Sequence, residues 1–255
     1  MCAVSFLNTV PLVWGLLHGR QQGLFDLSFA VPSECADRLA AGTADVGLVP
    51  AIEAARIGLD LLPGCGISCR GAVRSILLVS KVPCDRIRSV ATDSNSRTSV
   101  ALARIVLARR YGVTPDFESR PPVLEEMLAC ADAALVIGDS ALRIEPAALP
   151  HRTLDLGVEW LELTGLPMVF AQWSARPGCA SQELADVFCE SLRFGMEHFN
   201  EVVRSEAQIR RFEEPFVREY LTRNVVFELG DAERRGLDCF LAGARDFGIL
   251  ESSGA

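Results

Sequence analysis

The sequence predicts an α/β fold built from two similar lobes. Short apolar strands alternate with amphipathic stretches, and very short turns join each strand to the next helix. Because strands connected through helices run in the same direction, this alternation favours parallel sheets. The pattern also repeats. Residues 45–49 align with residues 132–136, and each segment follows a helical stretch that contains Leu-Ala, at 39–40 and at 128–129.

The elements of the first lobe are marked by apolar runs and by helix signals. Pro11 suits the first turn of a helix, because its missing N–H has no partner there, and Gly42 suits the end of another. In order, the sequence predicts a strand at 3–4, a helix at 12–17, a strand at 27–31, a helix from 32 to Gly42, a strand at 45–50 and a helix at 52–57.

The second lobe follows the same rhythm, and the rest of the chain is helical. The predicted elements are a strand at 90–92, a helix after Ser99, a strand at 116–118, a helix near 123–128, a strand at 133–137, and later helices behind Ser181 and Asp231.

Two extended apolar segments, at residues 73–80 and 168–173, are predicted to connect the lobes. We therefore expect lobe I to comprise residues 1–82 and 172–255, and lobe II residues 83–171. Paired strand crossovers form a hinge, and a central cleft between such lobes is a usual place for a small ligand.

Composition and charge exclude several classes of function. The 255-residue chain is 49% hydrophobic and carries a formal charge of −8 without a basic block, which argues against a nucleic-acid partner. No apolar run approaches membrane-spanning length, and the N-terminus lacks a secretory pattern. The nine cysteines form no Cys-x-x-Cys pair and the three histidines are scattered. We therefore expect no metal site. We also expect the cysteines to be free thiols in a reducing compartment, the cytoplasm.

Residues 92–99 read Thr-Asp-Ser-Asn-Ser-Arg-Thr-Ser and lead directly into a helix; six of these eight side chains are hydroxyls or amides. A helix start carries unpaired N–H groups and partial positive charge, so this run suits a small anion such as a carboxylate. The alternative is that the run only supplies the N-cap of an ordinary helix.

The other predicted strand-to-helix turns are also small and polar, and they contain Asn8, Ser33, Glu53 and Asp139. Functional groups in parallel α/β lobes gather where strands end. Each residue has an alternative structural role: Asn8, Ser33 and Asp139 as helix caps, and Glu53 as a solvated first-turn residue. No Gly-x-Ser-x-Gly elbow, phosphate loop or Gly-x-Gly-x-x-Gly turn occurs. An enzyme of this kind would act by positioning and hydrogen bonding.

Residues 5–12, Ser-Phe-Leu-Asn-Thr-Val-Pro-Leu, resemble the Ser-Tyr-Leu-Asn-Thr-x-Pro-Leu opening of the chorismate dehydratases of the futalosine pathway. Further motifs follow in that family's order, at residues 31–37, 45–50, 71–75, 96–99, 137–139 and 163–167. The resemblance covers most of residues 4–173. Phe6 replaces the usual Tyr, which removes one hydroxyl, and Cys35 replaces the usual Leu.

The resemblance implies a two-lobed type II periplasmic-binding-protein-like fold with two strand crossovers, turned to cytoplasmic catalysis. It implies a lyase that removes water from chorismate to give 3-[(1-carboxyvinyl)oxy]benzoate for menaquinone biosynthesis. No metal or organic cofactor is implied. The expected partner is a small dianionic substrate, with no nucleic acid or membrane; a homodimer is left open.

The site residues are assigned on this basis. Hydroxyl donors and backbone N–H groups at residues 96–99 are expected to hold one carboxylate, while other polar side chains orient the leaving hydroxyl and the enolpyruvyl arm. The expected catalytic residues are Asn8, Ser75 and Asp139. The expected binding residues are Ser5, Thr9, Ser33, Glu53, Arg74, Asp93, Ser96, Arg97, Thr98, Ser99 and Gly138. The base is either the substrate's own enolpyruvyl carboxylate or a protein carboxylate, Asp139 or Glu53.

Two rival functions share the predicted fold. A small-carboxylate sensor would bind the same class of ligand without turnover. A sister cyclase of the same pathway would use a different opening motif, so the Ser-Phe-Leu-Asn-Thr run favours the dehydratase.

Overall fold

A computed structural model describes residues 1–250. The chain forms two compact units. The first comprises Met1–Ser68 and Val169–Arg234, and the second comprises Cys69–Met168 and the described residues from Arg235 to Leu250.

Within the described residues the chain forms eleven strands. They are β1 (Cys2–Val4), β2 (Ser28–Ala30), β3 (Val46–Pro50), β4 (Asp60–Cys69), β5 (Ile76–Ser80), β6 (Ser89–Asp93), β7 (Asp116–Arg120), β8 (Ala133–Ile137), β9 (Arg152–Asp155), β10 (Met168–Ala175) and β11 (Val226–Leu229).

The same part of the chain forms eleven α-helices. They are α1 (Val10–His18), α2 (Pro32–Ala40), α3 (Ala51–Ile57), α4 (Thr98–Tyr111), α5 (Leu124–Cys130), α6 (Gly138–Leu142), α7 (Leu156–Thr164), α8 (Gln182–Glu197), α9 (Phe199–Arg210), α10 (Glu214–Glu219) and α11 (Asp231–Asp246). A 3₁₀-helix at Leu7–Thr9 precedes α1, and a π-helix at Tyr220–Asn224 follows α10.

Each unit is built on one sheet. The first sheet has the strand order β11-β4-β10-β3-β1-β2, and the second has the order β7-β6-β8-β5-β9. β1, β2 and β3 are parallel, as are β6, β7 and β8, which confirms the predicted strand–helix–strand units. The prediction of parallel sheets is wrong elsewhere: β10 runs antiparallel to β3, and β5 runs antiparallel to both its neighbours.

The units divide the chain differently from the expected lobes. Residues 69–82 were expected in lobe I, but β5 lies inside the second sheet, where Leu77 pairs with Val136 on one side and Asp155 on the other. The chain also passes between the units a third time, within α11. Its later part belongs to the second unit, where Phe240 packs edge-on against Trp160 with the ring centroids 6.1 Å apart.

The first unit is tightened by close packing of α1 on α8. A Cβ on Gly15 would lie 2.5 Å from the Cα of Ser191, so only glycine allows this approach. The Ser191 hydroxyl donates to the Leu12 carbonyl at 2.8 Å and accepts from the Leu16 N–H at 3.1 Å. These bonds fix α1, and with it the Leu7–Thr9 turn directly before it.

Among the described helices, none is both long enough and apolar enough to cross a membrane.

Candidate functional site

The first unit gathers polar side chains where its parallel strands end. β1 is followed by the 3₁₀-helix that contains Asn8 and Thr9, and α3 begins directly after β3. Asn8 is 8% exposed and Thr9 1% exposed, yet Asn8 Oδ1 and Thr9 Oγ1 have no hydrogen-bond partner within the structure. A buried polar atom without a partner costs about 1–3 kcal/mol, so such atoms are expected where a ligand supplies the missing bond.

Ser68 joins this set, although the sequence analysis did not identify it. Asp60 accepts from the Gly178 N–H at 2.8 Å, and a Cβ on Gly66 would meet the Ala171 carbonyl. These contacts show that β4 runs opposite to β10, whose Ala171 pairs with Pro50 at the end of β3. Ser68, near the end of β4, therefore lies toward the edge of the sheet at which β3 ends. Its hydroxyl is buried and has no partner.

Three further predicted residues of the first unit differ from Asn8 and Thr9 in their burial or in their partners. Ser5 is exposed, and its carbonyl accepts from Arg210 at 3.1 Å. Ser33 is half-buried in the first turn of α2. Glu53 is 4% exposed and forms an ion pair with Arg56 at 2.5 Å, so the interpretation of Glu53 as a solvated first-turn residue is wrong. Within α3, the Arg56 guanidinium takes the place of water at the Glu53 carboxylate.

The second unit places residues 92–99 between the end of β6 and the start of α4, as predicted. The N-cap residue of α4 is Arg97, which makes no side-chain capping bond, so none of the hydroxyl residues occupies that position. Thr98 and Ser99 are buried in the first turn, and the Ser96 hydroxyl is buried without a partner. The hydroxyl residues of this run therefore flank the N-cap position of α4 and do not occupy it.

Asp93 links this loop to the end of β8. It is 2% exposed, and its carboxylate accepts from the N–H of Asn95 at 2.9 Å and from the backbone of Ile137. Burial raises the pKa of Asp93, while these hydrogen bonds act in the opposite direction. Because the carboxylate is surrounded by backbone donors, Asp93 organises the loop.

Ser75, Gly138 and Asp139 come together in the second unit. Ser75 is buried before β5, and its carbonyl accepts from the Gly138 N–H at 2.8 Å. Gly138 has φ +60°, a left-handed conformation that favours glycine, and it starts α6. Asp139 follows, half-buried, in the first turn of that helix. Ser75 thus lies beside Gly138 and Asp139, which are far from it in sequence.

Arg74, one of the expected binding residues, is bonded to the backbone after α6 begins. Its guanidinium donates to the Ala141 carbonyl at 3.0 Å and to the Ile144 carbonyl, both at the end of α6. Arg74 therefore clamps a helix whose last carbonyls lack intrahelical partners. Arg97 is half-buried at the start of α4.

Asp155 is a second residue that the sequence analysis missed. It is the N-cap of α7 and also accepts hydrogen bonds from the N–H groups of Val73 and Arg74, in the turn before Ser75. An Asp directly before an apolar helical run is an N-cap signal, but its long-range partners leave no mark in the sequence.

No group of three or more His, Cys, Asp or Glu side chains among residues 1–250 is arranged to hold a metal ion.

Comparison with known sequences identifies relatives across the chain. Residues 1–246 match a protein family described as menaquinone biosynthesis. A chorismate dehydratase of Thermus thermophilus is 31% identical over 253 residues, covering 92% of this chain and 91% of the relative. A chorismate dehydratase of Campylobacter jejuni is 28% identical over 179 residues, covering 67% of this chain and 65% of the relative.

Comparison with solved structures identifies the fold. A protein of Archaeoglobus fulgidus superposes with a TM-score of 0.73 at 15% identity, covering 98% of this chain and 97% of the other. The alkanesulfonate-binding protein of Xanthomonas axonopodis pv. citri, bound to MOPS, gives 0.68 at 15% identity, with 98% and 92% covered. A Candida albicans protein with the generic periplasmic-binding-protein fold gives 0.64 at 14% identity, covering 99% and 90%.

The predicted periplasmic-binding-protein-like fold is thus confirmed, and the family match extends over nearly the whole chain. Together with the 31% identity to a relative of similar length, this shows that the chain belongs to the menaquinone-biosynthesis family.

Proposed function

We propose that this protein is a chorismate dehydratase, a hydro-lyase that eliminates water from chorismate to give 3-[(1-carboxyvinyl)oxy]benzoate. The observation that carries the proposal is the pairing of family membership with buried, unpartnered polar atoms at the predicted positions, namely Asn8, Thr9 and Ser96. The product would enter menaquinone synthesis by the futalosine route. The nine cysteines are free thiols, which is the state expected in the cytoplasm.

The proposed reaction breaks one C–H bond and one C–O bond of the substrate ring. The proton lost lies vinylogous to the ring carboxylate, so negative charge spreads onto that carboxylate in the transition state. The hydroxyl then leaves as water, and the ring becomes aromatic. Catalysis needs donors at the carboxylate, donors at the leaving hydroxyl, and a base; it needs no redox change.

Residues 96–99 suit the carboxylate. The first turn of α4 carries backbone N–H groups at the positive end of the helix dipole, and Ser96, Thr98 and Ser99 add hydroxyls. Fixed donors aimed at developing charge contribute about 3–4 kcal/mol each when they act in the transition state. Asp93 lies in the same loop, but its carboxylate accepts bonds from the backbone and so serves the loop's conformation.

Asn8, Thr9, Ser33 and Ser75 suit the leaving hydroxyl and the enolpyruvyl arm. The Asn8 amide and the Thr9 hydroxyl can each donate and accept, and Asn8 Oδ1 and Thr9 Oγ1 lack a partner. Ser68, in the same unit as Asn8 and Thr9, adds a third unpartnered oxygen.

The base in this proposal is the substrate's own enolpyruvyl carboxylate. Glu53 is a poor candidate because Arg56 balances its charge at 2.5 Å. Asp139 is half-buried in the first turn of α6 and remains the protein alternative.

The test replaces each carboxylate by its amide. We expect Asp139→Asn and Glu53→Gln to keep kcat within about tenfold of wild type, because neither group removes the proton. Asp238→Asn, on α11, is the matched control. A fall in kcat of several orders of magnitude in either test variant, with substrate binding intact, would assign the base to the protein instead.

A further inference from the structure

Asp155 makes more hydrogen bonds than a helix cap requires. It is the last residue of β9 and the N-cap of α7, and Oδ1 accepts from the N–H groups of Gly157 at 2.9 Å and Val158 at 3.3 Å. Oδ1 also accepts from the Val73 N–H at 3.0 Å, and Oδ2 accepts from the Arg74 N–H at 2.6 Å. The second pair lies about eighty residues earlier in the chain, and it contributes nothing to the capping of α7.

The turn held by Asp155 is strained. Arg74 has φ +63°, a conformation that side chains other than glycine rarely adopt. Strain of this kind persists only where the surroundings impose it, and it concentrates at functional sites. Here Oδ2 fixes the Arg74 N–H, while the Arg74 guanidinium is fixed at the end of α6.

The turn sets the position of the residue that follows it. Ser75 comes directly after Arg74, and its carbonyl holds the Gly138 N–H at the start of α6. The end of α6 is held by Arg74. One carboxylate therefore controls the backbone before Ser75 and, through Arg74, both ends of the helix that carries Asp139.

We propose that Asp155 is a positioning residue for the dehydration: it holds the strained Val73–Arg74 turn so that Ser75 and the start of α6 meet the substrate in one fixed arrangement. The role rests on the proposed function. It assigns to Asp155 no contact with the substrate.

Two substitutions separate this role from capping. Asp155→Ser keeps a side chain that caps helices well but is too short to hold the turn. Asp155→Asn keeps one acceptor oxygen for the Oδ1 donors and puts a donor amide opposite the Arg74 N–H. Ser181→Ala is the control, because Ser181 caps α8 of the first unit by accepting from the Leu184 N–H at 3.1 Å.

We expect both Asp155 variants to lower kcat by about 10- to 100-fold, since small displacements of a reacting group have effects of this size. KM should change by less than about threefold, and the Tm should fall further than in Ser181→Ala, because the Arg74 N–H also loses its acceptor. Ser181→Ala should keep wild-type kcat. Unchanged kcat in both Asp155 variants of an active enzyme would overturn the proposal.

Hydrogen exchange of the purified protein supplies a readout that needs no activity. In Asp155→Asn we expect faster exchange in peptides covering residues 71–76 and 138–144, with residues 156–164 unchanged. If exchange changes in this way but the wild-type protein leaves chorismate intact, the proposed function is wrong, while the hold of Asp155 on the Val73–Arg74 turn is supported. Unchanged exchange at 71–76 would overturn the proposal whatever the activity.

Discussion

The two units treat polar groups at their strand ends in opposite ways. In the first unit, three of the buried side chains that leave an oxygen without a partner, Asn8, Thr9 and Ser68, lie toward strand ends. In the second unit, the carboxylates of Asp93 and Asp155 accept hydrogen bonds from backbone N–H groups. The first unit therefore offers unsatisfied side chains to a ligand, whereas the second, apart from the unpartnered Ser96 hydroxyl, uses side chains at its strand ends to fix the backbone.

This difference has a consequence for stability. An unsatisfied buried oxygen costs about 1–3 kcal/mol, a sizeable part of the 5–15 kcal/mol by which proteins are typically stable. Removing such a group from the first unit should affect activity without destabilising the fold. Disturbing the loops of the second unit should lower both the activity and the stability of the protein.

The largest effect is expected for Asn8→Ala. If the amide binds the reacting part of the substrate, kcat/KM should fall by about 10³-fold, the loss seen when a transition-state donor is removed. The Tm should stay at or above the wild-type value, because a buried unpaired oxygen is removed. Steady-state kinetics with chorismate give kcat/KM, and thermal unfolding gives the Tm. Asn200→Ala, on the exposed part of α9, is the matched control, and activity within tenfold of wild type would remove Asn8 from the site.

Ser75→Ala tests the second unit and should lower kcat by about 100-fold. The bond between the Ser75 carbonyl and Gly138 involves only the backbone, so it survives the substitution and the fold should be kept. Ser80→Ala, at the far end of β5, serves as the control. Equal kcat in the Ser75 and Ser80 variants would show that the hydroxyl has no part in the reaction.

A smaller effect is expected at the anion loop. Hydrogen bonds to charged groups contribute about 1.5–3 kcal/mol, so Ser96→Ala combined with Thr98→Val should weaken binding of a product-like dicarboxylate by at least about tenfold. Calorimetric titration gives the affinity. Ser94→Ala changes an exposed hydroxyl of the same loop and should bind normally. Should the double variant bind as well as Ser94→Ala, the carboxylate is held elsewhere.

The smallest expected effect is a pH dependence at Asp93. Burial raises the pKa of Asp93 in the folded protein, so the folded chain holds that proton more tightly than the unfolded chain. The stability contributed by this group is present at low pH and is lost as the pH rises through the folded pKa. The Tm of Asp93→Asn, relative to wild type, should therefore rise between pH 4 and pH 7.

Thermal unfolding across that range measures the shift, with Asp26→Asn, at an exposed aspartate, as the control. A Tm difference that stays constant or falls with pH would contradict burial as the dominant influence on Asp93.

Local patterns predicted the strand-end turns, because a polar run between an apolar strand and an apolar helix is visible in sequence; residues 92–99 and the turn with Asn8 are found where expected. β4 was missed because Pro63, Gly64 and Gly66 disfavour a strand, and only pairing in the sheet defines it. The burial of Glu53 and the clamps made by Arg74 and Asp155 depend on tertiary contacts that no local pattern encodes.

The most direct test incubates the purified wild-type protein and Asn8→Ala with chorismate and follows absorbance and product mass. The account predicts a new aromatic product, lighter than chorismate by one water, with wild type and almost none with the variant. Stabilisation of the wild-type protein by chorismate without any product would contradict catalysis and indicate a carboxylate sensor.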